Sequence, residues 1–437
     1  MAEHTGQSKG ILSWYFDANL LMRISAGLIL GAVVGIFLAY SPGLGGPFVA
    51  KTKFFGDIFI RLLQMIVVPT IFFSLIMGAS SVAPTQLGRV GAKTLLFYGC
   101  LVVFAIAIGL LLGNIAKPGD GLNIVGLAGQ EIQARTAPPL ATVLLNIIPS
   151  NPFDALAKGQ VLPIIFFSLC FGISLAYLRH AADANLAKCG DTLFAVVTAA
   201  AETMYKIVGG VMQYAPIGVF FLISGVFATQ GPKVIGPLVF VLCIAYVGFI
   251  LHVILGFGGA LTLFGLSFIK FLRGAREAMI TAFVTRSSSA TLPISLRVSE
   301  ENLGVPRSIS SFTLPIGATI NMDGTAIYLA VGSMFIAFAV GKPLTMDQQF
   351  IVLITATLGS IGAAGVPGAG AIMMLMVLES VNLKVEAGTA VAAAYAMMLG
   401  IDAIFDMGRT CLNVTGDIVA ATVVSKHEKA LDMSKWK

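Results

Sequence analysis

Long apolar stretches recur through the first 264 residues of the chain, separated by short polar connections. A transmembrane helix needs about 20 consecutive, mainly apolar residues. The stretches therefore predict helices at residues 20–40, 54–80, 89–115, 140–178, 192–227 and 230–264. A membrane barrel would instead show segments of about ten residues with alternating polarity. The pattern predicts an all-α polytopic membrane protein.

Small and polar residues interrupt the apolar segments of the second half. The interruptions are "TRSSSATLP" (Thr285–Pro293), "NMDGT" (Asn321–Thr325) and "GSIGAAGVPGAG" (Gly359–Gly370). In lipid, irregular backbone persists only where it is buried in protein or lines a wet cavity. Ser287–Pro293 and Ser360–Gly370 are thus predicted as tips of two re-entrant hairpins, the alternative being plain connections between spans. Paired interruptions of this kind point to a transporter site near the bilayer midplane.

Charge is scarce, since only 11% of the residues are charged against about 25% in a soluble domain. The net charge of +6 indicates basic cytoplasmic loops and no affinity for nucleic acid. Basic residues in Lys270–Arg276 and after Val424 place these segments, and both termini, in the cytoplasm. Residues 1–20 lack a cleavage-site pattern, so they are interpreted as a cytoplasmic or interfacial lead-in. The five scattered cysteines are typical of reduced thiols.

The segment "IDAIFDMGRTCLNVTGD" (Ile401–Asp417) carries most of its charge on one helical face. With about 100° of rotation per residue, six polar side chains fall within an arc of roughly 100°. They are Asp402, Asp406, Arg409, Thr410, Asn413 and Asp417. Charges in a membrane helix usually face the protein interior and mark a substrate or ion path. Internal salt bridges are the alternative, but three aspartates against one arginine leave surplus negative charge that needs a cation or a ligand amine.

The residue types suggest both a ligand and an ion. Arg409 offers a planar fork for a carboxylate, and Asp406 can accept hydrogen bonds from an ammonium group. Backbone amides at a helix N-terminus near Ser287–Ser289 suit a second carboxylate. These groups together fit an acidic amino acid. Asn321 and Asp323, with Gly324 allowing the helix to unwind, supply the oxygens that a hard cation such as sodium prefers.

On these motifs the chain resembles the glutamate/aspartate transporters of the dicarboxylate–amino acid:cation symporter family. The resemblance extends over essentially the whole chain and includes "NPFDALAKGQVLP" (Asn151–Pro163), "SIGAAGVPGAG" and "DMGRTCLNVTGD". It implies eight transmembrane helices plus two re-entrant hairpins, assembled as a homotrimer in the inner membrane. It also implies elevator transport, in which a transport domain slides against a scaffold and the second hairpin tip acts as the extracellular gate.

The domain boundaries implied by the resemblance divide the chain into four parts. Residues 1–20 form the N-terminal segment and residues 21–264 the first six transmembrane helices. The scaffold is mainly residues 21–80 and 140–227, whereas the helices at 89–115 and 230–264 join the transport domain. Residues 265–426 form the transport core, and residues 427–437 form a cytoplasmic tail.

The resemblance implies that the substrate site is built from both hairpin tips and the last two helices. Its members are Arg286, Ser287, Ser288, Ser289, Met322, Thr325, Ala364, Gly365, Val366, Gly370, Asp406, Arg409, Thr410 and Asn413. In this scheme Asp406 holds the amino group and Arg409 the side-chain carboxylate, while Asn413 and the tip amides hold the main-chain carboxylate. Asp402 is expected to pair with Arg286.

The resemblance also implies sodium sites, as the coupling ions of a symporter. One would use Gly317, Asn321, Asn413 and Asp417. A second would use Thr319, Ser360 and Ile361, largely through backbone oxygens, with Ala363 nearby. A third would use Tyr98, Asn321 and Asp323, but Leu101 and Val102 replace two oxygen ligands expected there. Asp417 favours sodium over proton coupling, since proton-coupled relatives tend to have asparagine at that position.

Rival functions are less well supported. An ion channel would need a continuous polar pore, and an intramembrane aspartyl protease would need Tyr-Asp and Gly-x-Gly-Asp motifs, which the chain lacks. A dicarboxylate transporter would have no use for the pairing of Asp406 with Arg409. The isolated His252 is interpreted as a packing residue. The choice between aspartate and glutamate stays open, because the same groups bind both.

Overall fold

The computed structural model describes residues 20–41, 43–80, 89–122, 124, 145–360, 368–386 and 388–436. Within these ranges the regular structure is entirely helical. The first half contains α1 (Leu20–Ala39), α2 (Gly45–Ser80), α3 (Arg89–Ala116), α4 (Pro152–Lys158), α5 (Val161–Arg179), α6 (Ala184–Gln230), α7 (Ile235–Leu251) and α8 (Gly259–Leu263). The second half contains α9 (Phe268–Thr285), α10 (Ser288–Glu301), α11 (Arg307–Ile320), α12 (Asp323–Ala339), α13 (Met346–Ser360), α14 (Ala369–Ser380) and α15 (Ala390–His427).

Seven of the described helical stretches are long and apolar enough to cross a membrane. They comprise α1, α2, α3, α5, the continuous run from α6 to α8, the pair α11–α12, and α15. The prediction of a multi-pass helical membrane protein agrees with this. Residues 1–19 of the predicted N-terminal segment lie outside the described residues.

One sequence-predicted helix is broken in the structure, and another is present but contains an irregular turn. The single helix predicted at 140–178 is broken, because α4 ends at Lys158 and α5 begins at Val161. Gly159 terminates α4 in the left-handed conformation, with φ 65°, which glycine adopts without steric cost. The helix predicted at 230–264 is interrupted by a π-helical turn, His252–Gly258, between α7 and α8.

The helices form two groups by packing. In the first, α1 and α2 pack on α6, and α5 packs on α2. In the second, α15 packs on α9, α11 and α12, and α3 packs on α12. The groups meet where α6 contacts α15 and where α2 contacts α14.

The first hairpin has a much tighter tip than the sequence predicts. The predicted tip is Ser287–Pro293, but α9 ends at Thr285 and α10 already begins at Ser288. Arg286 turns the chain with φ 55°, and the Ser287 side chain caps α10 by accepting a hydrogen bond from the amide of Ala290. The serines therefore form the tip of the hairpin and the first turn of α10.

In the second hairpin, α13 ends at Ser360 and α14 begins at Ala369, and the two helices pack against each other. Most of its predicted tip, including Ile361, Ala363, Ala364, Gly365 and Val366, lies outside the described residues. The hydroxyl of Tyr395 in α15 donates to the carbonyl of Ala371 at 2.9 Å, which ties α14 to α15.

The predicted break in the "NMDGT" helix is present, but its cause differs from the expectation. The helix unwinds at Asn321 and Met322, between α11 and α12, and Gly324 lies inside the first turn of α12. A side chain at Gly324 would collide with the backbone of Arg409. Gly324 therefore allows α12 to approach α15 closely, and it is not the residue at which the helix unwinds.

Candidate functional site

Arg409 lies at the centre of the polar face of α15 and is almost completely buried. Its Nη2 donates to Asp406 Oδ1 at 2.7 Å, and its Nη1 donates to Asp402 Oδ1 at 3.1 Å. Asp406 lies about one helical turn before Arg409 and Asp402 about two turns before it, so the three side chains share one face. The predicted stripe is thus a network of one arginine and two aspartates inside the protein.

The expected pairing of Asp402 with Arg286 is wrong. Both oxygens of Asp402 face the guanidinium of Arg409 instead, at 3.1 and 3.5 Å. Arg286 is half-buried and lines a small cavity that it shares with Asp402, Asp406 and Gly368. Arg409 prevails because it lies on the same helix as Asp402, whereas Arg286 must reach across from the tip of the first hairpin.

The two oxygens of Asp406 have different surroundings. Oδ1 accepts from Arg409, but Oδ2 is buried and has no hydrogen-bond partner among the described residues. A buried polar atom without a partner carries a desolvation cost of about 1–3 kcal/mol. The arrangement leaves Asp406 able to accept a hydrogen bond from a ligand at the centre of the site.

Tyr328 belongs to the same site, although the sequence reasoning did not select it. The guanidinium of Arg409 lies over its ring, with Cζ 4.3 Å from the ring centroid. This distance suits a cation–π contact, and Phe405 packs edge-on against the same ring at 5.2 Å. Tyr328 follows Thr325 by three residues on α12 and so shares its face, which is the signal that could have identified it.

Gly370 brings the second hairpin against the arginine. A side-chain carbon at this position would overlap Nη1 of Arg409. Gly370 therefore lets the first turn of α14 lie directly on the guanidinium. Ser288 and Thr410 are also buried, while Ser289 is exposed.

Asn413 links α15 to the broken helix. Its Oδ1 accepts from the amide of Gly324 at 2.8 Å, and its Nδ2 lies 3.1 Å from Met322 Sδ. Its carbonyl oxygen lies 3.5 Å from Asn321 Nδ2. Thr325 is buried in the same turn of α12. Asn413 thus contacts the break itself, between the Arg409 network and the predicted cation ligands.

The predicted cation ligands Asn321 and Asp417 meet beside Gly317. Asn321 Nδ2 donates to Asp417 Oδ1 at 3.1 Å. A side chain at Gly317 would collide with Asp417 and with the hydroxyl of Tyr98. Tyr98 itself donates to the carbonyl of Thr313 at 3.0 Å. Gly317, Asn321, Asp417 and Tyr98 therefore lie close together, although the sequence assigned Tyr98 to a different cation site from Gly317 and Asp417.

Several oxygens in this cluster lack protein partners. Asn321 Oδ1 and both carboxylate oxygens of Asp323 are buried without a hydrogen bond in the described part of the chain. Oxygen atoms of this kind are the ligands that hard cations prefer. Leu101 and Val102 are both buried and offer no side-chain oxygen. No group of three or more His, Cys, Asp or Glu residues suited to a metal ion occurs among the residues described, so a cation here would depend on amide and carbonyl oxygens as well.

Two predicted ligands form local hydrogen bonds instead. The Thr319 hydroxyl donates to the carbonyl of Ile316 at 2.9 Å, and the Ser360 hydroxyl donates to the carbonyl of Thr357 at 2.8 Å. Each hydroxyl hydrogen is thereby satisfied within its own helix. Their predicted contribution was through backbone oxygens, which these bonds leave untouched.

Comparison with known proteins decides the family. The model of the sodium:dicarboxylate symporter family matches residues 20–427. The chain belongs to the sodium:dicarboxylate symporter family. Members of this family are transporters, so the chain is a symporter and not an enzyme.

Individual relatives within the family carry different names. A proton/sodium-glutamate symport protein of Geobacillus stearothermophilus is 34% identical over 428 residues, which cover 96% of this chain and 97% of that protein. A proton/glutamate-aspartate symporter of Escherichia coli K12 is 34% identical over 430 residues, covering 95% and 94%. A C4-dicarboxylate transport protein of Bacillus subtilis is 30% identical over 423 residues, covering 95% of each. The family thus includes both amino-acid and dicarboxylate carriers.

Proposed function

We propose that this chain imports aspartate or glutamate together with sodium, as a secondary active symporter. The observation that carries the proposal is Oδ2 of Asp406, which is buried beside Arg409 and has no hydrogen-bond partner in the described part of the chain. This oxygen can accept a hydrogen bond from an ammonium group. The positive charge of the ammonium group would also balance the second negative charge of the network. A C4-dicarboxylate has no such group, so its transport would leave the oxygen unpaired.

Arg409 would bind the side-chain carboxylate of the substrate in place of one of its aspartate partners. Its guanidinium already holds two carboxylates, Asp402 and Asp406, and a substrate carboxylate would replace one of them at the fork. Bidentate geometry favours a carboxylate at this position. The main-chain carboxylate would bind to the amides at the start of α10 and to Asn413, where the helix N-terminus favours negative charge.

Sodium is the proposed coupling ion, and it travels as a second substrate. Asp417, Asn321 and the carbonyl groups near Gly317 would bind one ion, and the unpartnered oxygens of Asn321 and Asp323 would contribute to another. Thr319, Ser360 and the second hairpin tip would supply a further site. Asp417 would supply a carboxylate oxygen, a ligand type that hard cations prefer.

The proposed mechanism is an elevator in a homotrimer of the inner membrane. The packing supports a scaffold built from α1, α2, α5 and α6 and a transport domain built from α3, α7 and α9–α15. Both termini and the segment after Val424 would face the cytoplasm. The hairpins and α15 would then carry substrate and sodium across as one body.

Uptake into proteoliposomes tests the substrate and the coupling ion together. The full-length chain is reconstituted and given labelled aspartate, glutamate or succinate, under an inward sodium gradient or under a proton gradient alone. The proposal expects sodium-dependent uptake of aspartate or glutamate and little uptake of succinate. Equal uptake of succinate would overturn the substrate class, and full uptake with protons alone would overturn the coupling ion.

A matched pair of variants tests the role of Asp406. Asp406→Asn removes the acceptor for an ammonium group and should lower the ratio of aspartate to succinate uptake at least about tenfold. Asp402→Asn is the control, because Asp402 also binds Arg409 but both of its oxygens already face the guanidinium. If both variants keep the wild-type ratio, Asp406 is not the ammonium partner.

A further inference from the structure

The structure assigns a role in cation binding to His252, a residue that lies outside every predicted site. We propose that His252 is a positioning residue, whose imidazole fixes Asp323 so that one carboxylate oxygen is directed to sodium. The inference rests on the proposed sodium coupling and identifies a determinant of sodium affinity. It goes beyond the interpretation of His252 as a packing residue.

His252 and Asp323 form a buried pair. Both side chains are fully buried, and His252 Nε2 lies 3.5 Å from Asp323 Oδ2. Neither ring nitrogen has a hydrogen bond among the described residues. A buried imidazole that serves only to fill space would have no reason to direct a polar edge at a carboxylate, since both groups lose hydration there.

An irregular turn of the helix and close packing fix the position of the imidazole. His252 begins the π-helical turn His252–Gly258, and such turns are rare and concentrate at functional sites. Phe257 packs edge-on against the ring at 4.8 Å, and Phe104 lies at 5.8 Å. A side-chain carbon at Gly256 would approach the ring to 3.1 Å. Phe104 and Phe257 thus pack on the ring and Gly256 leaves space for it, while Nε2 faces the carboxylate of Asp323.

The two oxygens of Asp323 are distinguished by their surroundings. Oδ2 faces His252 Nε2, and a carbon placed at Gly416 would lie 2.6 Å both from Oδ2 and from Asn321 Nδ2. Asn321 Nδ2 donates to Asp417 Oδ1, so His252 Nε2 is the nitrogen that faces Oδ2. An N–H group held near Oδ2 restrains rotation of the carboxylate and leaves Oδ1 as the oxygen for a cation. Supporting groups of this kind orient ligands and tune ion affinity.

Three substitutions at His252 separate positioning from packing. His252→Gln keeps an amide N–H at the reach of Nε2, His252→Asn keeps the group but shortens the reach, and His252→Leu keeps an apolar side chain alone. Phe104→Leu is the control, because it changes the packing around the imidazole without altering its polar edge. Sodium binding is measured on the purified full-length chain as the shift of the thermal unfolding midpoint, without amino acid.

We expect His252→Leu and His252→Asn to raise the half-saturating sodium concentration about tenfold, and His252→Gln to keep it within about threefold. In proteoliposomes, His252→Leu and His252→Asn should raise the sodium concentration for half-maximal uptake. Their maximal rate at saturating sodium should stay within about twofold of the wild-type rate. Phe104→Leu should leave both sodium concentrations at wild-type values. A residue that only supports packing is not expected to change the half-saturating sodium concentration while leaving the maximal rate unchanged.

Other results would overturn the assignment. If His252→Leu binds sodium like the wild type, or if the Asn and Gln variants behave alike, His252 does not position Asp323. If His252→Leu fails to fold, the Asn and Gln pair decides the question. If sodium has no effect on the wild-type chain, the proposed coupling fails and this inference fails with it. A sodium effect on the wild type that persists unchanged in the variants overturns the inference alone.

Discussion

The helix α1 and the broken pair α11–α12 are both apolar enough to span a membrane, yet their surroundings are opposite. In the apolar window of α1, 28% of the residues are buried within the chain, against 94% in that of α11–α12. Large side chains such as Met22, Ile29 and Phe37 project outward from α1. The pair α11–α12 instead carries Asn321 and Asp323 at its unwound centre.

The contrast shows what decides burial in this protein. Lipid tails are as apolar as leucine, so hydrocarbon provides little drive to bury an apolar helix against protein. Unpaired backbone and charged side chains, in contrast, are costly in lipid and must be covered. The helices that carry the site are therefore buried because they are polar, and the more uniformly apolar helices surround them.

The largest effect should come from Arg409→Ala, which removes the only cation of the network formed with Asp402 and Asp406. Removing one partner of a buried charge pair leaves the other uncompensated, at about 3–5 kcal/mol. Uptake of aspartate and glutamate should fall at least about 100-fold, and neutral amino acids could be admitted. The measurement is labelled uptake into proteoliposomes at matched protein content. Normal aspartate uptake by this variant would contradict the site assignment.

A smaller loss is expected from Gly370→Ala, at the contact between α14 and the guanidinium. The added methyl group would overlap Arg409, and overpacking of a close contact typically costs about 1–3 kcal/mol. Apparent affinity for aspartate should fall on the order of 30-fold. The concentration dependence of uptake measures this, and Ala371→Gly, one residue further along α14, is the control.

Asp417→Asn tests the polar cluster beside the break between α11 and α12. The substitution keeps the shape of the side chain and its contact with Asn321, but it removes a charge that a cation would need. The sodium concentration for half-maximal uptake should rise about tenfold. Sodium activation curves at saturating aspartate provide the measurement, and an unchanged curve would remove Asp417 from the proposed sodium site.

The smallest effect is expected on the outward face of an apolar helix. Leu96 in α3 is 70% exposed, and Leu96→Ala shortens a side chain that contacts little protein. Stability should change by less than about 0.5 kcal/mol and uptake by less than about twofold. Thermal unfolding and aspartate uptake check this. A strong loss would indicate that this face packs against another chain.

Sequence patterns predicted much of the helical architecture, because long apolar runs and their interruptions are local features. The polar face of α15 followed from helical periodicity, and the break at Asn321 followed from its motif. The details that failed depend on contacts between distant segments. The packing of α15 against its neighbours determines which cation Asp402 binds. The same packing explains why residue 324 must be a glycine.

The neighbours of Arg409 and Asp323 illustrate the same limit. Tyr328 and His252 belong to no charged motif. The spacing of Tyr328 from Thr325 could have identified it, but no sequence pattern placed His252 beside Asp323. Each becomes informative only when the fold places its ring beside a buried charge. The tip of the first hairpin also proved shorter than predicted, because a serine that caps a helix resembles a loop residue in sequence.

The C-terminal segment after α15 binds the base of the first hairpin. Trp436 Nε1 donates to the carbonyl of Leu303 at 2.8 Å, and Lys270 Nζ donates to the carbonyl of Trp436 at 2.6 Å. The amide of Asp432 donates to Gly304 at 2.9 Å. Both legs of the hairpin are thus fastened to the end of the helix that carries Arg409. Because the chain has two tryptophans, the variant Trp14→Phe leaves Trp436 as the single tryptophan. The emission of Trp436 would report whether the C-terminal segment stays bound to the first hairpin during transport.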